Sequence, residues 1–150
     1  MGTREQILST ALEMFNRQRS TNVSTNHIAA QMGISPGNIY YYFNDKQEII
    51  RALWEKISSD SDMMFSDPEW ALSEKGIVTN YATIAAYTYR YRFFYLEISV
   101  LLANDPELRR SYSQRARKVM ARIEEVVDSW ISLGIMKKIP ENDKKWLVHN

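Results

Sequence analysis

The sequence predicts an all-α protein. Only five glycines and four prolines occur among its 150 residues, so the residues that form tight turns are scarce. Apolar residues recur at helical spacing along most of the chain, and the alternation typical of a strand is hard to find. A hydrophobic content of 45% and a charged content of 25% are typical of a globular protein. We therefore expect helices packed into one or two small domains.

The first two helices are predicted by apolar spacing and by the residues that bound them. A helix over 3–17 places Ile7 and Phe15 on one face. Ser24 is well suited to cap a second, short helix, because its hydroxyl can accept a hydrogen bond from a free N–H of the first turn. Gly33 can take a positive φ angle and so end that helix sharply.

Two further helices are indicated by the next start signals. Ser35 is expected to cap the third helix, and Pro36 fits its first position because no N–H is needed there. Ile39 and Phe43 then share one apolar face. The run Asp-Lys-Gln-Glu at 45–48 indicates a capping box that opens a fourth, connecting helix.

A polar stretch comes after the connecting helix. Residues 58–62 read Ser-Ser-Asp-Ser-Asp, which we expect to be irregular or frayed. This stretch predicts a boundary between an N-terminal domain at 1–57 and a C-terminal domain at 58–150.

The C-terminal domain is also predicted to be helical. Helical spacing resumes over 75–103 with a break near Arg90, and a new helix starts at Asp105 and ends before Gly134. A last helix begins near Asn142, only two turns before the end of the sequence. Since two turns are marginal alone, we expect the natural protein to be longer and this domain to be incomplete.

Residues 24–46 have the organisation of a helix-turn-helix, in which a short helix, a glycine turn and a second short helix succeed one another. With Ile39 and Phe43 inward, most of the remaining positions of the second helix point outward, namely Gly37, Asn38, Tyr41 and Tyr42. The predicted fold is therefore an N-terminal three-helix helix-turn-helix domain, joined by a connecting helix to a C-terminal helical domain.

Three consecutive tyrosines make the projecting helix a candidate DNA-binding surface. Tyr40, Tyr41 and Tyr42 cover more than half of its circumference, so at least one or two must face solvent. A phenol can donate to a phosphate oxygen while its ring contacts a sugar or a thymine methyl. Asn38 can form paired hydrogen bonds with adenine, and Gly37 permits close approach of the backbone to a base edge.

Net charge does not reveal this surface. The whole chain carries +1, and residues 1–57 hold six basic and five acidic side chains. The helix N-termini at Ser24 and Ser35, with their free N–H groups, can dock on phosphate without a basic domain.

With these residues in view, the sequence resembles the DNA-binding domain of TetR-type transcriptional regulators. The resemblance covers about the first 57 residues. It rests on this run: Ile7-Leu8, Ala11-Leu12, Phe15, Ser24-Thr25, Ile28-Ala29, Met32-Gly33-Ile34-Ser35-Pro36-Gly37-Asn38-Ile39-Tyr40-Tyr41-Tyr42-Phe43, Lys46 and Ile49-Ile50.

The resemblance implies DNA contacts for residues at both ends of the motif. In the family, the recognition helix and the start of the preceding helix contact DNA, and the lysine that opens the fourth helix contacts a phosphate. These roles carry over to Thr25, Asn26, Gly37, Asn38, Tyr40, Tyr41, Tyr42 and Lys46. Tyr42 stands where the family often has histidine and Pro36 where it commonly has a polar residue, so a base preference does not carry over.

The resemblance also implies partners. TetR-type regulators are homodimers that bind palindromic double-stranded operator DNA, and a small-molecule effector bound in the C-terminal domain changes the separation of the recognition helices. Half-sites about 34 to 36 Å apart would suit such a dimer. The effector is unidentified. The likeness of the C-terminal half to the family's ligand-binding and dimerisation domain holds in outline only.

Candidate effector contacts come from an aromatic run in the C-terminal half. Tyr87, Tyr91 and Phe94 have the spacing i, i+4, i+7, which describes a buried stripe as well as a pocket wall. Arg92 could bind an anionic effector, although pairing with Glu97 or simple exposure is the favoured interpretation.

A second charged feature is a run with six basic residues and no acid between Arg109 and Arg122. A further nucleic-acid surface is conceivable, but the solvated face of a helix is the favoured interpretation.

Several classes are disfavoured. The chain has no cysteine, its two histidines are far apart, and no nucleophile–base pair or phosphate loop is recognisable. We therefore expect no enzyme, no metal and no cofactor. Without an apolar leader or a membrane span, a cytoplasmic protein is expected. The leading hypothesis is a repressor released by an effector, and the alternative is a DNA-binding module that lacks an inducer and uses its C-terminal half for protein partners.

Overall fold

A computed structural model describes residues 2–64, 74–140 and 142–143. Within these ranges the chain is helical and contains no strand, as the sequence predicts. The elements are α1 (Thr3–Gln18), a 3₁₀ turn (Ser20–Asn22), α2 (Thr25–Met32), α3 (Pro36–Tyr42), α4 (Lys46–Met64), α5 (Glu74–Arg90), α6 (Arg92–Asn104) and α7 (Pro106–Ser132).

Helices α1 to α3 form a small N-terminal unit, here called the head. Ile7 and Phe15 of α1, Ile28 of α2 and Ile39 of α3 are buried in its centre. Burial of each such side chain contributes about 1.5 to 3 kcal/mol, which is the main force that holds a seven-residue helix such as α3 in place. The face of α3 opposite Ile39 is thereby left outward.

The turn between α2 and α3 has the geometry that the sequence predicts. Gly33 takes φ +67° in the left-handed region, where a side chain is strained. Its N–H and that of Ile34 donate to carbonyls of the last turn of α2, at Ala30 and Ala29. Pro36 occupies the first position of α3. The chain therefore changes direction within three residues.

Helix α4 joins the head to the C-terminal unit, here called the body (α5 to α7). The expectation that 58–62 is irregular is wrong, because α4 runs unbroken to Met64. Two side chains of this stretch contact the body. Asp60 accepts a hydrogen bond from the Tyr91 hydroxyl, and Asp62 forms an ion pair with Arg115. The boundary expected after residue 57 therefore lies inside one helix.

The body shows the predicted break and restart. Helix α5 ends at Arg90 and α6 begins at Arg92, with the fully buried Tyr91 between them. Asp105 caps α7, because its Oδ1 accepts the N–H groups of Glu107 and Leu108 at 3.0 Å.

The C-terminal end of α7 lies close to the predicted position. Gly134, at φ +72°, comes two residues after the last residue of this helix, Ser132. The expected last helix is seen only at 142–143, and its remainder lies outside the described residues. None of the helices in the described ranges is long and apolar enough to cross a membrane.

Candidate nucleic-acid interface

The outward face of α3 is unusually aromatic. Tyr41 is 81% exposed and Tyr40 is 51% exposed, whereas Ile39 beside them is 0% exposed. A large exposed aromatic side chain keeps apolar surface in water, so a partner that covers this surface binds with a favourable free energy. The structure thus separates a row that anchors α3 from a row that is open to a ligand.

The start of α2 lies beside the middle of α3. The Thr25 Oγ1 and the Tyr40 hydroxyl are 3.3 Å apart, within hydrogen-bond distance. Asn26 is exposed next to them. Thr25 and Tyr40, which are 15 positions apart in the sequence, therefore lie on one surface, with Asn26 next to Thr25.

The two serines that precede these helices differ in what they do. The Ser24 hydroxyl accepts the N–H of His27 at 3.2 Å, and the Ser24 N–H donates to Nδ1 of His27. This reciprocal pair is a capping box that fixes the start of α2. The Ser35 side chain makes no cap hydrogen bond, contrary to expectation, so its exposed hydroxyl stands free at the start of α3.

Gly37 and Asn38 occupy the first turn of α3 and are both exposed. A Cβ atom built on Gly37 would lie 3.7 Å from Ser35 Oγ, which is ordinary van der Waals contact, and apart from the adjoining residues and the backbone of the helix itself it meets no other atom within 4 Å. The protein itself therefore does not require glycine at this position.

Tyr42 differs from its two neighbours. It is half-buried and packs against the core of the head, with its ring edge-on to Tyr41 at 4.9 Å. The sequence prediction that it faces outward is met only in part, because the same side chain also supports Tyr41.

Lys46 is engaged inside the protein. Its Nζ donates to the carbonyl of Ser20 at 2.7 Å. Burial lowers the pKa of Lys46, and the nearby carboxylate of Glu97 partly opposes this shift. The structure therefore gives the lysine a contact that the phosphate role implied by the resemblance does not include.

One cation near the interface was missed by the sequence analysis. The Arg4 guanidinium lies 5.1 Å from the ring centroid of Phe43, directly after α3. Nothing in the local sequence indicates this, because α1 and the end of α3 meet only in the folded head.

In the described part of the chain, the four candidate effector residues are held by packing and hydrogen bonds within the protein. Tyr91 and Phe94 are fully buried in side-chain packing, and the ring of Phe94 stacks on Trp54 at 4.9 Å. The Tyr87 hydroxyl donates to the carbonyl of Ile57 at 2.8 Å. Burial raises the pKa of both Tyr87 and Tyr91, and hydrogen bonds to Tyr95 and Asp60 respectively raise it further.

Arg92 lies apart from this packing. It lies over the ring of Tyr89 at 4.3 Å and donates to the Tyr89 carbonyl at 2.9 Å. Its pairing with Glu97, one of the interpretations left open by the sequence, is wrong, because Glu97 is buried against Ser20 instead.

A groove of about 260 Å³ lies elsewhere, between α4 and the start of α7. It is lined by Arg4, Glu48, Arg51, Ala52, Trp54, Glu55, Glu107, Leu108 and Ser111, and by none of the four candidates.

The basic run on α7 is divided between contacts and solvent. Arg115 pairs with Asp62, while Arg109, Arg110, Arg117 and Lys118 are exposed or only partly covered. This agrees with a solvated face. Among the described residues, no group of histidine and acidic side chains could hold a metal ion.

Comparisons with known families agree with the helix-turn-helix geometry. Residues 7–53 match a family described as bacterial regulatory proteins, tetR family. Residues 71–150, which are more than half of the chain, match one described as bacterial transcriptional repressor, TetR.

Curated relatives match about a third of the chain. The HTH-type transcriptional regulator AcrR of Shigella flexneri is 36% identical over 58 residues, which are 39% of this chain and 27% of AcrR. The HTH-type transcriptional regulator SrpR of Pseudomonas putida is 35% identical over 51 residues, which are 34% of this chain and 24% of SrpR. The matches thus span about a quarter of each relative's length.

Solved structures match nearly the whole chain. A TetR-family transcriptional regulator from Marinobacter aquaeolei VT8 has a TM-score of 0.90 at 32% identity, over 99% of this chain and 73% of that one. The fatty acid degradation regulator FadR from Bacillus halodurans has a TM-score of 0.68 at 18% identity, over 98% of this chain and 79% of that one, which is a likeness of fold alone.

Proposed function

Because this chain belongs to the TetR family of DNA-binding bacterial transcriptional regulators, we propose that it is a repressor that binds a palindromic double-stranded operator as a homodimer. Helix α3 enters the major groove of each half-site. Such a protein acts where the genome is, in the cytoplasm.

One observation carries this proposal: α3 is held from behind by fully buried apolar side chains and presents Gly37, Asn38, Tyr40 and Tyr41 to solvent. An exposed helix face that holds amide and phenol groups next to a position without a side chain suits the edges of base pairs. The nearly neutral net charge is compatible with DNA binding, because the proposed contacts include hydrogen bonds and ring packing as well as charge.

Each side chain has a role that its geometry supports. The Asn38 amide can pair with the N6 and N7 atoms of an adenine. Tyr41 can place its ring against a thymine methyl or sugar and its hydroxyl on a phosphate. Thr25, Asn26, Tyr40 and the free Ser35 hydroxyl can contact the phosphates on either side.

Release by a small-molecule effector belongs to the same proposal. An effector need only favour a dimer in which the two α3 helices are wrongly spaced for about 34 to 36 Å half-sites. The candidate contacts in the body remain Tyr87, Tyr91, Phe94 and Arg92.

A second candidate function is favoured by the packing of the body. Tyr91 and Phe94 are buried among the helices of the body and α4, and the groove of about 260 Å³ is lined by Trp54 but by neither of these two residues. A regulator with no inducer, whose C-terminal half binds protein partners, would need no internal pocket. Screening effectors by thermal shift separates the two candidates.

The test of DNA binding is the substitution Gly37→Ala. Alanine fits at this position and favours a helix over glycine by about 1 kcal/mol, so we expect the variant to fold at least as stably as the parent. If the backbone of Gly37 approaches a base edge, the added methyl group blocks it. Loss of binding in a more stable protein would therefore locate the interface.

The measurement is fluorescence anisotropy with an operator selected from a random duplex library. Gly2→Ala is the matched control, because a Cβ at Gly2 meets open space and Gly2 precedes α1, outside α2 and α3. Unchanged affinity of Gly37→Ala, or the absence of any selected sequence, would count against the proposal.

A further inference from the structure

The head is attached to the body at a second place besides α4. Asn16, near the end of α1, donates through Nδ2 to the carbonyl of Arg90 at 2.8 Å and accepts the N–H of Phe93 on Oδ1 at 3.0 Å. One side chain of the head thus contacts both sides of the break between α5 and α6. The ring of Phe15 packs on Phe93 at 5.3 Å beside it.

A stronger contact lies one turn further along α6. The carboxylate of Glu97 accepts the Ser20 N–H at 3.0 and 3.2 Å and the Ser20 hydroxyl at 2.7 Å. Glu97 is only 8% exposed and Ser20 only 2% exposed. A buried carboxylate is costly unless its oxygens are well satisfied, so these bonds tolerate little displacement of either partner.

Lys46 completes this cluster from α4. Its Nζ donates to the Ser20 carbonyl at 2.7 Å and lies close enough to Glu97 to interact with its charge. Ser20 is therefore held by its N–H, its hydroxyl and its carbonyl. We call Ser20, Lys46 and Glu97 the joint.

The backbone next to the joint is strained. Arg19 has φ +67° and ψ 150°, a conformation that almost only glycine adopts and that costs about 1 to 3 kcal/mol in other residues. Such a conformation persists only when its surroundings fix it. The bonds on both sides of Arg19, from its own N–H to Phe15 and from Ser20 to Glu97, do so.

We propose that Glu97 is a positioning residue for DNA binding, which holds Ser20 so that the head keeps one orientation relative to the body. A unit attached by one helix can swing about that helix, whereas a second attachment removes this freedom. The consequence for DNA binding rests on the proposed function. In the proposed dimer, the joint sets the distance between the two α3 helices and hence the half-site spacing that the protein accepts.

The test measures orientation without DNA. The chain has no cysteine, so spin labels can be placed on Gln31→Cys in α2 and Arg117→Cys in α7, at positions that are not buried. Electron–electron double resonance then gives the distances between head and body in labelled full chains diluted with unlabelled protein. In this background, Glu97→Gln keeps the shape of the side chain but removes its charge and places an NH₂ donor near the Ser20 donors.

We expect a narrow distance distribution for the parent and one about twofold broader for Glu97→Gln. The matched control Glu55→Gln, an exposed carboxylate of α4, leaves the distribution narrow. A purely structural role would lower the unfolding temperature of Glu97→Gln without broadening the distances in the folded protein, and that result would overturn the proposal.

Ser20→Ala provides a milder variant if Glu97→Gln does not fold. It loses the 2.7 Å hydroxyl bond and keeps the backbone bond, so a smaller broadening is expected, and a distribution equal to the parent's overturns the proposal. If the parent instead selects no operator, the proposed function fails, while the distance measurement still decides the role of Glu97.

Discussion

Tyr41 in the head and Tyr91 in the body are the same residue type with opposite surroundings. Tyr41 is 81% exposed on a helix of seven residues, whereas Tyr91 is 0% exposed between two longer helices and bonds to Asp60. Helix α3 packs against the rest of the head through one row of side chains only. The junction of α5 and α6 is covered by α1 and α4. An aromatic residue is therefore structural where helices surround it and available for binding where only one row of its helix is packed.

The largest effect that tests this comparison is expected from Tyr91→Ala. Removing a fully buried ring leaves a cavity, so we expect the free energy of unfolding to fall by about 3 to 5 kcal/mol. Urea unfolding followed by tryptophan fluorescence measures it. Tyr91→Phe keeps the ring and loses only the hydrogen bond to the Asp60 carboxylate, for a smaller cost of about 1.5 to 3 kcal/mol. A comparable, small loss in both variants would show that the ring does not fill the core.

Tyr41→Ala is expected to leave stability nearly unchanged and to weaken DNA binding. The free energy of unfolding changes by no more than about 0.5 kcal/mol, because the side chain is exposed. Operator affinity falls about tenfold, the equivalent of about 1.4 kcal/mol, as the ring and hydroxyl contacts are lost. Tyr81→Ala, at a 74% exposed position on α5, is the control that leaves the affinity unchanged in the same anisotropy titration. Equal losses in the two variants would contradict a special role for α3.

A smaller effect, which depends on pH, is expected at the start of α7. Burial alone would raise the pKa of Asp105, but the N–H groups of Leu108 and Glu107 and the guanidinium of Arg51, 2.8 Å away, outweigh burial and lower it. The carboxylate thus stabilises the fold fully above its unfolded pKa of about 3.9, and this contribution is lost as the pH falls through the lower folded pKa.

Asp105→Asn isolates this charge, since asparagine caps a helix equally well. We expect a loss of about 1 kcal/mol at pH 7 that disappears in acid. Urea unfolding of both proteins between pH 7 and pH 2 shows whether the curves converge. A difference that stays constant with pH would assign the effect to packing instead of charge.

The head was predictable from sequence because its signals are local. The glycine at the end of α2, the proline at the start of α3 and the row of Ile39 and Phe43 each act within a few residues, and the structure confirms them. The exposure of Tyr40 and Tyr41 follows from the same helical periodicity, because they lie on other faces of α3 than Ile39.

The joint and the length of α4 were not predictable in this way. Ser20 and Glu97 are 77 positions apart, and neither stands in a pattern that indicates the other. The stretch 58–62 is polar enough to suggest a frayed end, yet Asp60 and Asp62 meet Tyr91 and Arg115 only when the body has packed. Contacts between charged residues in distant segments leave no periodic signal in the sequence.

Helix α4 is also a lever. Its 19 residues span about 28 Å, with the last turns held by the body and the first residue, Lys46, forming part of the joint. If α4 tilts by about 5° about its C-terminal end, its N-terminal end moves by about 2.5 Å. Successive base pairs are stacked about 3.4 Å apart, so in the dimer proposed above such a tilt would shift each α3 helix by most of one base-pair step.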